Sequence, residues 1–109
     1  MSDLKIKNKE NFVMVEKDVI IKNKTGLHAR PAAILVQNAN KFESDIFLEK
    51  DGDKVNAKSI MGVMMLAAAE GSKIKIIAEG NDEKEAVETI SNLLESNIDE
   101  ANIGEEEKV

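Results

Sequence analysis

Cysteine is absent from this 109-residue chain, and histidine and proline occur once each. Without cysteine there is neither a disulfide framework nor a thiolate metal site, and a lone histidine does not make the cluster that zinc needs. A reducing, cytoplasmic setting fits this composition, no metal site is expected, and no cofactor is expected either. Long hydrophobic runs are also missing: the longest, "IMGVMMLAAA" at 60–69, is far shorter than the roughly 18 residues of a membrane span. The N-terminus lacks the apolar stretch of a signal peptide, so the expectation is a soluble chain, neither inserted in a membrane nor exported. Nor is there an excess of positive charge. The formal charge is −6, and residues 95–109 hold Glu95, Asp99, Glu100, Glu105, Glu106 and Glu107 against Lys108 alone. The rest of the chain keeps 15 acids and 14 bases, with no basic stripe for direct contact with nucleic acid.

What is present is the alternation of one small domain. Residues 16–23, "EKDVIIKN", predict a strand with Val19 and Ile21 on one face. Residues 44–50 predict a second with Ile46 and Leu48 inward, and Asp51-Gly52 turns it into a third carrying Val55 and Ala57. Residues 73–79, "KIKIIAE", predict a fourth, bounded by Gly71 and Gly80. Helical spacing appears from 29 to about 41 (Ala32, Leu35, Val36, Ala39) and from 82 to about 96 (Ala86, Val87, Ile90, Leu93, Leu94). Asp82 is placed as N-cap of the latter, with Glu83 and Glu85 in its first turn. A middle helix from 59 to about 70 is apolar round too much of its circumference, through Ile60, Met61, Val63, Met64, Met65 and Leu66. It reads either as a short helix half wrapped by loops or as a Met-rich contact patch. The order βαββαβα implies an α+β fold, with three helices on one face of a four-stranded antiparallel sheet.

The ends say less. Residues 3–9, "DLKIKNK", share a pattern with "DVIIKNK" at 18–24, but the copy has no counterpart of His28. It holds no second active site and is at most a stray strand. Residues 1–13 are read as a flexible N-terminal extension, 14–96 as the folded domain and 97–109 as a solvated acidic tail.

"GLHARPAA" at 26–33 carries the chemistry. Glycine permits a tight turn and proline suits the first helical position, so His28 falls at a helix mouth. Helix starts offer unpaired amides and a partial positive charge that hold a dianionic phosphoryl group without metal. Arg30 adds a forked cation, and a neutral imidazole near pH 7 is a nucleophile able to take and release phosphate. Two readings stand on the residues alone: a capping or surface histidine, or the centre of reversible phosphoryl transfer. Ser59 has two as well. It caps the middle helix, or it is a regulatory phosphosite whose new charge faces a helix start beside the apolar patch.

Together "KTGLHARPAAILVQNANKF" at 24–42, "KSIMGVMMLAAAEG" at 58–71 and the last amphipathic helix resemble the histidine-containing phosphocarrier family, HPr, of the bacterial phosphoenolpyruvate-dependent sugar phosphotransferase system, over about residues 16–96. The resemblance implies an open-faced β-sandwich. It implies that His28 accepts phosphate on Nδ1 from phosphorylated enzyme I and gives it to the histidine of sugar-specific IIA domains. Arg30 then steadies the phosphoryl group, and Ala29 and Pro31 shape the helix start. The second motif resembles the Firmicute form, in which an HPr kinase/phosphorylase modifies the serine matching Ser59 and the product binds a catabolite control transcription factor. Ile60, Met61 and Met64 match the family's docking surface. Three features depart from the pattern: the residues before Met14, Met65 where the family commonly has a small polar residue, and an acidic tail longer than usual. The expected protein is a stoichiometric carrier with no turnover of its own. The competing class is a purely regulatory interaction protein acting through Ser59 and the patch, as in HPr-like relatives that lack the histidine. A hydrolase or metalloenzyme lacks paired catalytic groups and ligands.

Overall fold

The computed structural model describes residues 5–9 and 12–98. The elements run β1 (Lys5–Lys9), β2 (Phe12–Ile20), α1 (Ala29–Ala39), β3 (Asp45–Lys50), β4 (Asp53–Asn56), α2 (Ile60–Met65), β5 (Lys73–Glu79) and α3 (Glu83–Leu94). Strands β2 to β5 and the three helices are those expected, in the expected order, and the fold is the α+β open-faced sandwich. Beyond the four expected strands, β1 joins as a fifth, giving the order β1-β2-β5-β3-β4, antiparallel throughout.

Period-two alternation sets the two faces of the sheet. Register places Val15 opposite Ala78, Val19 opposite Ile74, Ile46 opposite Ala78 and Leu48 opposite Ile76, and all of these are buried. Against them pack Ala32, Leu35 and Ala39 of α1, Val63 of α2, and Ala86, Val87, Ile90 and Leu94 of α3. The opposite face is not wholly polar. Ile77 lies there between Glu16 and Phe47 in register, and it is buried. Lys75 approaches the Glu16 carboxylate at 3.9 Å, and Lys54 stands 4.8 Å above the Phe47 ring.

Two boundaries and the role of one cap residue differ from expectation. The first long strand covers 12–20 rather than 16–23, because β1 pairs with its start and β5 begins only at Lys73, opposite Ile20. Ile21 is still buried, tied to the connecting loop by Ile21 N–H to Ser72 O (2.9 Å) and Gly71 N–H to Ile21 O (2.9 Å). The middle helix stops at Met65, well short of 70, because Ala67 takes a left-handed φ of +52° and turns the chain so that Leu66 and Ala68 are buried. Asp82 stands at the N-cap of α3 but makes no capping bond. Its carboxylate instead accepts from Ser44 Oγ and from the amides of Glu43 (3.0 Å) and Ser44 (2.9 Å). Glu83 Oε1 accepts from Gly80 N–H at 2.8 Å, which ties the loop ahead of the helix to its first turn.

Of the expected 1–13 extension, Lys5–Lys9 form β1, and residues 1–4, 10 and 11 lie outside the described residues. The expected tail lies outside them from residue 99 on, whereas Ile98 is fully buried. Among the described residues no helix is long and apolar enough to cross a membrane.

Candidate functional site

His28 is the N-cap of α1, with extended backbone (φ −91°, ψ −161°). Its carbonyl accepts the first helical bond, from Ala32 N–H at 2.8 Å, while its side chain makes no capping bond and is exposed. The imidazole is therefore not consumed by the helix it precedes. Ala29 is exposed, Arg30 half-buried and Pro31 buried. Pro31 is the third helical residue, not the first as its type suggests. The place suits it equally, since no amide ahead of Ala32 has a carbonyl one turn behind it, and proline forfeits nothing there. What remains at the helix mouth is the positive end of the dipole, with an arginine two residues from the ring.

The loop before His28 is closely held. Gly26 adopts φ +71°, and a Cβ there would fall 2.4 Å from Ala68 O. Leu27 is buried and donates its amide to that carbonyl at 2.9 Å. From the other side the fully buried Asn23 donates Nδ2 to Gly26 O (2.8 Å) and to Thr25 Oγ1 (3.0 Å), and its carbonyl accepts from Gly26 N–H (3.0 Å). Sequence reasoning passed over both Asn23 and Ala68. An Asn three residues before a Gly is a turn signal that was available, whereas a backbone carbonyl forty residues on leaves no trace in residue type.

Ser59 is the N-cap of α2, half-buried, and its Oγ accepts from Gly62 N–H at 3.1 Å. The apolar residues after it divide. Val63 is buried, whereas Ile60 (40% exposed), Met61 (68%), Met64 (39%) and Met65 (76%) face outward. Helices α1 and α2 pack on each other, and the Leu27–Ala68 bond ties the His28 loop to the segment leaving α2. Among the described residues no group of His, Cys, Asp and Glu is arranged to hold a metal ion. Asp82 lies apart, in its clasp on Glu43 and Ser44. Its carboxyl is held below the ordinary 3.8, first by the Ser44 hydroxyl and then by the Glu43 amide.

Comparison with known proteins places this geometry. The family model PTS-HPr, described as the PTS HPr component phosphorylation site, matches residues 15–96. The HPr-like protein Crh of Halalkalibacterium halodurans is 63% identical over 82 residues, covering 75% of this chain and 98% of that protein. The phosphocarrier protein HPr of Treponema pallidum is 48% identical over 87 residues, 80% of this chain and 99% of that one. The crystal structure of HPr from Bacillus anthracis str. Ames superposes with a TM-score of 0.73 at 56% identity, covering 74% of this chain and 96% of its own. With the model spanning three-quarters of its length and solved HPr structures sharing its fold, the chain belongs to the PTS-HPr family of phosphocarrier proteins.

Proposed function

We propose that this chain relays phosphate in a sugar phosphotransferase system: His28 takes a phosphoryl group from phosphorylated enzyme I and passes it to a sugar-specific IIA domain. The observation that supports this most is the exposed, unbonded imidazole at the N-cap of α1. The Nδ1 lone pair of the neutral ring attacks phosphorus as the phosphorus–nitrogen bond of the donor histidine breaks, and the reverse sequence delivers the group onward. Charge on the transferred group is met by the helix dipole and by Arg30, while Ala29 and Pro31 fix the start of the helix. The exposed Ile60, Met61 and Met64 form the docking face, a small apolar contact suited to fast release. Such a protein is a stoichiometric carrier in the cytoplasm, without turnover of its own.

The regulatory part of the proposal lies at Ser59. An HPr kinase/phosphorylase adds phosphate to its Oγ, which puts up to about two negative charges at the mouth of α2 and beside the docking face. The modified face is then read by a catabolite control transcription factor and becomes a poor substrate for enzyme I. A second reading, of a protein that is mainly such a regulator, is favoured by the 63% and 54% identity to two HPr-like Crh proteins. His28 weighs against it, because a regulator with no carrier role needs no histidine at that position.

Phosphoenolpyruvate with enzyme I should place acid-labile label on the wild-type chain and none on a folded His28→Ala variant. Acid-labile label retained by the variant contradicts the assignment. ATP with the serine kinase should give acid-stable label that Ser59→Ala loses. Sugar uptake separates the two readings: a relay loses uptake with His28→Ala, whereas a Ser59→Ala loss with a silent His28→Ala favours the regulator.

A further inference from the structure

Nothing in the His28 side chain's own bonding fixes its place, since it makes no bond to the helix it caps. The ring goes where the backbone of residues 26–28 puts it. That backbone is controlled through one peptide unit, between Gly26 and Leu27. Its oxygen accepts from Asn23 Nδ2 at 2.8 Å, and its N–H donates to Ala68 O at 2.9 Å. A trans peptide points these two atoms in opposite directions, so the unit is gripped at both ends, one residue ahead of His28. Rotation about its long axis would break both bonds together.

Of the two grips, only Asn23's comes from a side chain. Asn23 is fully buried, and the two hydrogens of its Nδ2 serve two acceptors, Gly26 O and Thr25 Oγ1. Its own carbonyl takes the Gly26 amide at 3.0 Å, so the residue holds Gly26 by both polar backbone atoms. In that dry setting a hydrogen bond is stiffer than in water and its loss is not made good by solvent. Gly26 adds to the need, because its φ of +71° lies where glycine by itself has wide freedom.

We propose that Asn23 is a positioning residue for His28: its side-chain amide fixes the Gly26–Leu27 peptide and thereby aims the imidazole for in-line phosphoryl transfer. This rests on the relay reading of His28 given above. Asn23 is fully buried, and its role is to act on the transfer through the loop it holds.

Single-turnover transfer of labelled phosphate from phosphorylated enzyme I to the full chain tests it, with three proteins compared: wild type, Asn23→Ala, and Ile90→Val. The last is a control that loosens the core through the fully buried Ile90 of α3. For Asn23→Ala the limiting rate should fall about ten-fold or more. The half-saturating concentration of enzyme I and the amplitude should stay as in wild type, because the docking face and the folded fraction are unchanged. Ile90→Val should transfer at the wild-type rate. A limiting rate for Asn23→Ala within about two-fold of wild type, or a loss of amplitude alone, overturns the positioning role. So does equal slowing by Ile90→Val. If Asn23→Ala does not fold, Asn23→Leu, which keeps nearly the same shape but has no amide donor, is read against the same thresholds. A wild-type chain that takes no label brings down the relay reading itself, whereas normal wild-type transfer with a fast Asn23 variant brings down the positioning role alone.

Discussion

Gly26 faces two separate constraints. Its φ of +71° penalises any side chain, and its missing Cβ leaves the space that Ala68 O occupies. Gly26→Ala should therefore cost at least about 2 kcal/mol, strain and collision together, as read from the urea midpoint. A loss much smaller than that would mean the 66–69 segment yields easily. The glycine was legible in the sequence as a turn residue, but the collision partner was not. Asp82 shows the same division. Its type and place before an amphipathic helix mark an N-cap, yet its oxygens bind Glu43 and Ser44, some forty residues earlier. These bonds favour the ionised form in the folded state and hold its pKa below 3.8. The unfolded chain then binds the proton more readily, so the stabilisation is present above that ordinary value and is lost as pH falls through the lowered one. Melting temperature should drop more steeply below about pH 4 in wild type than in Asp82→Ala. Parallel curves would remove Asp82 as the cause.

Helix α2 is the element that the sequence misjudged most. Its apolar residues and alanines run on at good helical propensity to Ala69, but the helix ends at Met65. The following turn buries Leu66 and Ala68 and presents the Ala68 carbonyl to Leu27, and its cost falls on Ala67 at φ +52°. An alanine is disfavoured there and a glycine is not. Ala67→Gly should stabilise the domain by up to about 1 kcal/mol, the gain being trimmed by the greater freedom of glycine in the unfolded chain. Thermal melts of the two proteins check it, and a destabilised variant would show that the turn relaxes at little cost. The shortened helix keeps Ser59 at its mouth and leaves Met61 and Met65 the most exposed large apolar residues of the described chain. Of the residues crowded round this segment, Val63 and Leu66 are buried and Ile60, Met61, Met64 and Met65 face outward.

Across the whole molecule, β5 is the centre of the sheet and β1 and β4 are its edges. Strand β1 pairs with the first half of β2, from Lys5 opposite Glu16 to Lys9 opposite Phe12. It precedes the stretch matched by the family model, which begins at residue 15. Without it, the outer N–H and C=O groups of β2 would be offered to another chain. A chain lacking residues 1–9 should therefore self-associate, with a higher average mass in sedimentation equilibrium than the full chain at equal concentration. Equal masses would show that β1 does not protect this edge.

The sequence by itself determined the order of strands and helices, the inward face of each, and the positions of His28 and Ser59 at helix mouths, because periodicity, turn residues and caps act over a few neighbours. Tertiary structure decided where α2 ends, what Asp82 binds, that β1 joins the sheet, and that the Ala68 carbonyl grips the peptide before His28. Each of these turns on a contact between chain segments far apart in sequence or on backbone atoms every residue shares, and neither is written in residue type.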